Sequence, residues 1–323
     1  MTATLDPDRN AGTASPDASG ARAAQRVAGA YRTSADVPPE VRHTILGDAR
    51  EIVEELRHSG DLIKQLTLRD IRIRYKQAVF GFAWAILIPA AVVLAGMAVR
   101  VAVAYAAGRH VDMTQLAGMA VKAVPWAFFV GCVSTGTSSL VSNTSLVTKI
   151  YFPREVLPLS TVLAQTFDSF IGGTLIACVL PFFGVRPSVE MLWVPLLLAL
   201  LWMFALAAAL FLSRANLFFR DVKYMVQVFL TFGIFVTPVI LDAPMFGERG
   251  AHYMMLNPIA PILEGLRLAI VNHHDLLQPR HAPAGWLFWK PWYLAYSATW
   301  AIGGLALSTL LFHRSERRFA EAV

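Results

Sequence analysis

The 323-residue chain is 56% hydrophobic and only 15% charged, with a mean hydropathy of +0.51. A soluble domain of this size carries about a quarter charged residues, so the composition sets a soluble fold aside in favour of a membrane protein. The formal charge of +6, on so apolar a chain, points to basic anchoring at one membrane face rather than to nucleic acid.

Residues 1–40 are rich in Ala, Ser, Asp, Gly and Arg and end in Val-Pro-Pro. No apolar stretch follows an N-terminal charge, so this is not a secretory signal. Its composition predicts a disordered cytoplasmic tail. From Thr44 to Tyr75 the pattern becomes that of an amphipathic helix. Ile45, Ala49, Ile52, Val53 and Leu56 share one face and Glu51, Glu54, Glu55 and Arg57 the other, with a break at Gly60. The run LIKQLTLRDIRIRYKQ then places Lys64, Arg69, Arg72, Arg74, Tyr75 and Lys76 directly before an apolar stretch. A helix of that kind is expected to lie flat in the membrane interface. Residues 41–78 therefore read as an interface-helix region, and 79–323 as the transmembrane domain.

Six segments are long and apolar enough to span a bilayer, near 80–104, 121–142, 156–181, 191–212, 222–241 and 291–312. Arg100 blemishes the first and is expected to snorkel to the far interface. An even number of spans puts both termini on one side. The flank before the first span, loops 149–155 and 213–223, and the tail HRSERR are short and basic, which assigns that side to the cytoplasm. Arg109, Lys122 and Arg186 blunt the contrast on the other face. Between Asp242 and Lys290, MMLNPIAPILEGLRLAIV holds two apolar stretches divided by Pro258 and Pro261. Neither spans alone. Two half-helices re-entering the outer leaflet fit the pattern if protein buries their broken backbone; an external surface helix is the alternative.

The chain lacks a Gly-x-x-x-x-Gly-Lys-Ser/Thr phosphate loop. If it moves cargo uphill, the energy comes from another subunit or an ion gradient. Asn272–Asp275 (NHHD) with His281 contains metal-ligand types in irregular spacing, for which a polar turn is the simpler reading. Cys132 and Cys178 lie in apolar segments and are expected to be buried, inert thiols. Asp168 is the acid most firmly inside a span, so it is either a transport group or a helix-packing hydrogen-bond acceptor. Asp221/Lys223 and Arg154/Glu155 resemble helix-end charge pairs more than a catalytic centre, so no catalytic residue is assigned. Aromatics are plentiful (Trp84, Tyr105, Trp126, Phe128, Phe129, Phe167, Phe170, Trp193, Trp202) and most are expected to face lipid or the interface. Phe229, Phe232 and Phe235 fall close to one helical face. Together with Trp84 and Tyr105 they are the candidates for lining a passage.

The segment KIYFPREVLP, Lys149 to Pro158, interrupts two apolar runs with two prolines, two aromatics and three charges. Pro153 fixes its own torsion and restricts Phe152. Tyr151 and Phe152 are compact apolar anchors of the kind that dominate interfaces, and Lys149, Arg154 and Glu155 can set register by charge. A plain basic loop with a helix-starting proline explains the prolines and cations but not the adjacent aromatic pair.

Five runs occur in order: RDIRIRYKQAVFGFAWAILIP, SLVSNTSLVTKIYFPREVLPLSTVLAQTFDSF, RDVKYMVQVFLTFGIFVTPVI, LNPIAPILEGLR and HRSERRFAEAV. Over roughly residues 62–323 they resemble the membrane subunit of ABC-2 type exporters, in the branch that moves O-antigen, capsule, teichoic acid or galactan chains on lipid carriers. The resemblance implies an all-α membrane permease with six spans, an N-terminal interface helix and an external re-entrant pair. It also implies a homodimer with the passage between protomers, and two copies of a separate ATPase that binds ATP and magnesium. The loop Ser142–Glu155 is then the coupling helix that docks on that ATPase, and Lys149, Tyr151, Phe152, Pro153, Arg154 and Glu155 are its contact residues. The expected location is the inner membrane. The rival expectations are an ABC-2 exporter of drugs or simple lipids, an ion-coupled carrier, and a membrane glycosyltransferase.

Overall fold

The computed structural model describes residues 52, 54–76, 83–106, 108, 113–149 and 152–322. The expected tail 1–40 and residues 41–51 lie outside them. The helices are α1 (Gly60–Lys76), α2 (Ala83–Ala106), α3 (Met113–Ser142), α4 (Thr144–Lys149), α5 (Val156–Val179), α6 (Trp193–Phe218), α7 (Val222–Val236), α8 (Gly247–Met255), α9 (Ala260–Ile270) and α10 (Trp292–Ala322). A short antiparallel ribbon, β1 (Arg280–His281) with β2 (Leu287–Trp289), pairs Arg280 with Trp289. It is a small departure from the expected all-helical chain.

Among the described residues, four stretches are long and apolar enough to cross a membrane: Met113–Ser142, Val156–Phe183, Val189–Phe218 and Trp292–Ser315. Ala90–Ala106, within α2, and Val222–Val236 are shorter apolar helices. The sequence locates all of them, but two boundaries move. α3 begins at Met113 rather than near 121, so Lys122 lies inside a buried helix and not in a loop. α7 stops at Val236 because Thr237 precedes Pro238, and a residue before proline is driven from helical to extended backbone; Thr237 adopts φ −107°, ψ 142°. Asn257 secures that end. Its Nδ2 donates to Thr237 Oγ1 at 3.3 Å, and its Oδ1 accepts the Ile259 amide at 3.2 Å, turning the chain from α8 into α9.

The central element is α3, buried from Leu116 through Trp126 and again at Phe128, Phe129 and Cys132. It is enclosed by α2, α5, α6, α7 and α9, while α10 packs on α6. This burial corrects the lipid-facing expectation for Trp126, Phe128 and Phe129. Cys178, expected buried, is instead exposed on α5. Contacts between the helices define two ends of the bundle. At one end Asn216 of α6 donates to the Thr137 carbonyl of α3 at 3.0 Å and accepts the Lys223 amide at 3.2 Å. At the other, Trp193 of α6 donates to Asp275 at 3.2 Å and Ser297 of α10 to the Pro258 carbonyl at 2.8 Å.

Helices in lipid associate through close packing, which favours small residues at contacts. Gly136 of α3 is such a point, since a Cβ there would lie 2.6 Å from Ala209 Cβ of α6. Gly136→Ala is expected to lower the thermal midpoint of the detergent-solubilised protein, at a cost of about 1–3 kcal/mol. Adding Ala209→Gly should recover most of the loss. Gly173→Ala, where a Cβ meets no atom within 4 Å, should leave the midpoint unchanged.

Candidate coupling and transport sites

KIYFPREVLP falls at the junction of α4 and α5. Lys149 closes α4; its side chain and the whole of Tyr151 lie outside the described residues. After Pro153 the chain enters α5 as the Val156 and Leu157 amides bond to the Pro153 and Arg154 carbonyls, each at 3.2 Å. Phe152 packs half-buried against the core, and Arg154 reaches back to the Val147 carbonyl at 3.5 Å. Glu155 departs from expectation. Its side chain points inward, and Oε1 lies 3.4 Å from His313 Nδ1 of α10. The turn at Pro153 rotates this first-turn residue toward the bundle, so Glu155 ties the segment to the last helix instead of offering charge to a partner.

The helix α1 connects this junction to the interior. Arg69 donates through Nη2 to Asn143 Oδ1 at 3.0 Å, immediately before α4, and to Asp70 Oδ1 at 2.9 Å. Arg72 and Lys76 are exposed. Arg74 and Tyr75 face α5: Arg74 Nη1 donates to Gln165 Oε1 at 3.0 Å and pairs with Asp168, while the Tyr75 hydroxyl donates to the other Asp168 oxygen. Asp168 is thus a hydrogen-bond acceptor between α1 and α5. Ser160 meets Asp70 at 3.4 Å, so contacts with α1 extend along α5 from Ser160 to Asp168, about 12 Å of helix rise. Thus α1 packs lengthwise on α5, where Arg74 finds a buried carboxylate.

At the opposite end lies a buried ionic cluster that the sequence did not announce. Arg100 of α2 donates to Asp242 Oδ2 at 2.9 Å, to the Ile240 carbonyl at 3.0 Å and to Gln115 at 3.0 Å. Lys122 of α3 lies 2.6 Å from Asp242 Oδ1 and 3.6 Å from Glu264 Oε2 of α9. Arg267 bonds Glu264 Oε1 through Nε at 2.7 Å, with Asp242 3.7 Å away. Arg100 therefore does not snorkel; it is buried because the segment after α7 brings it a carboxylate. Burial alone would raise the Asp242 pKa, but Lys122, Arg267 and Arg100 more than offset this and hold the carboxyl below its ordinary range.

The candidate passage residues lie on the surface of the chain: Trp84, Tyr105, Phe229, Phe232 and Phe235 are all exposed. In the NHHD turn the Asp275 carboxylate is taken by Trp193 and by the Leu277 amide at 3.1 Å, while His274 Nε2 contacts the Gln278 carbonyl at 3.0 Å.

The description "ABC-2 type transporter" matches residues 61–271, well over half of the chain. The chain belongs to the ABC-2 type transporter family. Two relatives from Klebsiella pneumoniae, each named "O-antigen export system permease protein RfbA", are 26% identical over 213 and 217 residues, covering 66% of this chain and 81% of theirs. One of the same name from Myxococcus xanthus is 25% identical over 224 residues, covering 69% of this chain and 85% of its own. As a member of this family with several apolar helices, the chain is a multi-pass membrane protein. The matched region of the ABC-2 chain contains the Arg74–Asp168 contact and the whole Asp242 cluster; His313 lies beyond it.

In this ABC-2 chain, Asp242→Asn leaves two guanidinium groups and an ammonium short of a buried counter-charge. The expected loss is on the order of 3–5 kcal/mol, read as a drop in thermal midpoint, against no change for exposed Arg72→Gln. Because folding lowers the Asp242 pKa, its contribution is fully present above the ordinary value of about 3.9 and declines as pH falls through the lower folded value. The gap between wild type and Asp242→Asn should therefore stay constant from about pH 8 to 5 and narrow only in stronger acid.

Proposed function

We propose that this chain is the membrane permease subunit of an ABC exporter that carries a lipid-linked polysaccharide, or a related envelope polymer, across the inner membrane. The observation that carries the reading is the set of three relatives, each named an O-antigen export permease, aligned over about two-thirds of a chain that has the ABC-2 fold. The six spans are α2, α3, α5, α6, α7 and α10, with both termini in the cytoplasm. Fifteen residues of α7 rise only about 22 Å, so α8 and α9 complete the depth at that end as the re-entrant pair.

The working unit is a homodimer with two ATPase subunits, which bind ATP and magnesium. α4 and the residues Lys149, Tyr151, Phe152, Pro153 and Arg154 form the docking element, with Glu155 holding it to α10. ATP-driven closure of the partner shifts α4, and Arg69 passes the shift to α1. The passage runs between protomers, where exposed Trp84, Tyr105, Phe229, Phe232 and Phe235 offer ring faces to sugars. Support for this reading comes from the direct Arg69–Asn143 contact and from the outward placement of those rings.

Purification from source membranes should retain a nucleotide-binding subunit, and depletion of the chain should accumulate undelivered polymer inside the cell. An active complex without such a subunit sinks the reading. Accumulation of a small lipid or drug in place of polymer moves the cargo to the simpler class. Phe152→Asp and Arg154→Glu are each expected to leave insertion and ATP hydrolysis intact while abolishing export; normal export by both removes the docking role.

A further inference from the structure

A cavity of about 380 Å³ lies among α1, α2, α3 and α5, lined by Arg74, Tyr75, Trp84, Trp126, Gln165 and Asp168. Its size falls in the range of small-ligand pockets, roughly 300–1,000 Å³. Its charges cancel, since Arg74 and Asp168 pair with each other. Neither a metal ion nor a bare phosphate meets an uncompensated charge here. Hydrogen-bonding capacity nonetheless remains. Arg74 engages Gln165 and Asp168 through Nη1, leaving Nη2 and Nε; the Gln165 amide donates from Nε2; Ser134 and Ser169 add hydroxyls to the lining.

The amide of Gln165 occupies its place only because residue 131 is glycine. A Cβ at Gly131 would lie 2.4–2.7 Å from Gln165 Cδ, Oε1 and Nε2. Two indoles complete the walls. Trp84 is half exposed and Trp126 buried, and the Trp126 ring lies against Gly233 of α7, 3.0 Å from where a Cβ would stand. Trp126 thereby also touches the helix that carries Phe229, Phe232 and Phe235. Flat apolar rings beside donors and acceptors that carry no net charge match a pyranose, which has one face of C–H groups and a rim of hydroxyls.

We propose that this cavity is a glycosyl-binding pocket, holding one neutral sugar residue of a glycan against Trp84, with its hydroxyls bonded to Arg74, Gln165 and the two serines. One wall of the pocket is α1. The same helix is held at Arg69 to Asn143 beside α4 and at Arg74 to Asp168, so occupancy of the pocket and the position of α4 are linked through one rod. This rests on the exporter reading for its biological sense, though the binding chemistry stands on the lining alone.

The test uses the full chain in lipid nanodiscs, titrated with the methyl glycosides of glucose, galactose, mannose and rhamnose, followed by tryptophan emission and saturation-transfer NMR. At least one glycoside should bind saturably, with the emission change absent in Trp84→Phe. Gln165→Ala and Gly131→Ala should each weaken it about tenfold, the scale of one lost hydrogen bond. Asp168→Asn threatens insertion of α1, so these two carry the test. Inorganic phosphate and pyrophosphate should not compete. Competition by phosphate, or no response to any of the four glycosides from a folded wild type, overturns the pocket. If glycosides bind but depletion accumulates no polymer, the exporter reading falls and the pocket stands; the opposite pair of results removes the pocket alone.

Discussion

An ionised side chain cannot be left alone in a low-dielectric interior, because the desolvation cost far exceeds what any single packing contact returns. In this chain that constraint acts most strongly on Asp242. It draws Arg100 from α2, Lys122 from α3 and Arg267 from α9 around one carboxylate. Much of the local architecture follows. α3 extends back to Met113, about two and a half turns before Lys122, which places that cation well inside a buried helix. Gly118 must lack a side chain, since a Cβ there would come within 2.9 Å of Arg267 Cδ. Through Glu264 and Arg267, α9 is consequently fixed to α3 and to the segment after α7, and does not form a free lid.

The other end of the bundle uses the same physics more loosely. The Arg74 side chain keeps about a third of its surface accessible, while those of Arg100 and Lys122 keep almost none. A partly hydrated pair costs less to separate than one with no access to water, because the separated partners can be re-solvated. The molecule therefore carries a rigid ionic clamp at one end and a more easily parted contact at the other. The parted contact is the one attached, through α1, to the segment that joins α3 to α5.

Apolar runs and their punctuation were readable in one dimension: every spanning helix, the break between α8 and α9, and the odd loop at Lys149–Pro158. Asp168 and Arg74 each stand out in the sequence, yet nothing in it marks them as partners. Arg100 and Lys122 were misread because nothing local distinguishes a snorkelling or loop cation from one neutralised by a residue more than a hundred positions away. Glu155 was misplaced for a related reason, since sequence gives its charge but not the rotation of the first turn after Pro153. Trp126, Phe128 and Phe129 look like any membrane aromatics; their burial follows from α3 being enclosed on all sides, which is a property of the assembled helices.

The spacing of contacts on α1 has a mechanical meaning. Arg69 and Arg74 are five residues apart, about 1.4 turns, so they leave the helix on different sides and can hold two different elements at once. One grips Asn143 at the head of α4, and the other grips Asp168 well inside α5. A hydrogen-bonded helix is stiff over that length, whereas a loop would absorb the displacement. Under the proposed coupling, movement imposed at α4 would therefore reach the Arg74–Asp168 contact with little loss. The Glu155–His313 contact fixes the far side of the same junction to α10, so α4 is braced between two helices. Of the two braces, α1 is the one that carries the partly exposed ion pair, so under the proposed coupling a push on α4 would part that contact before it disturbs the clamp around Asp242.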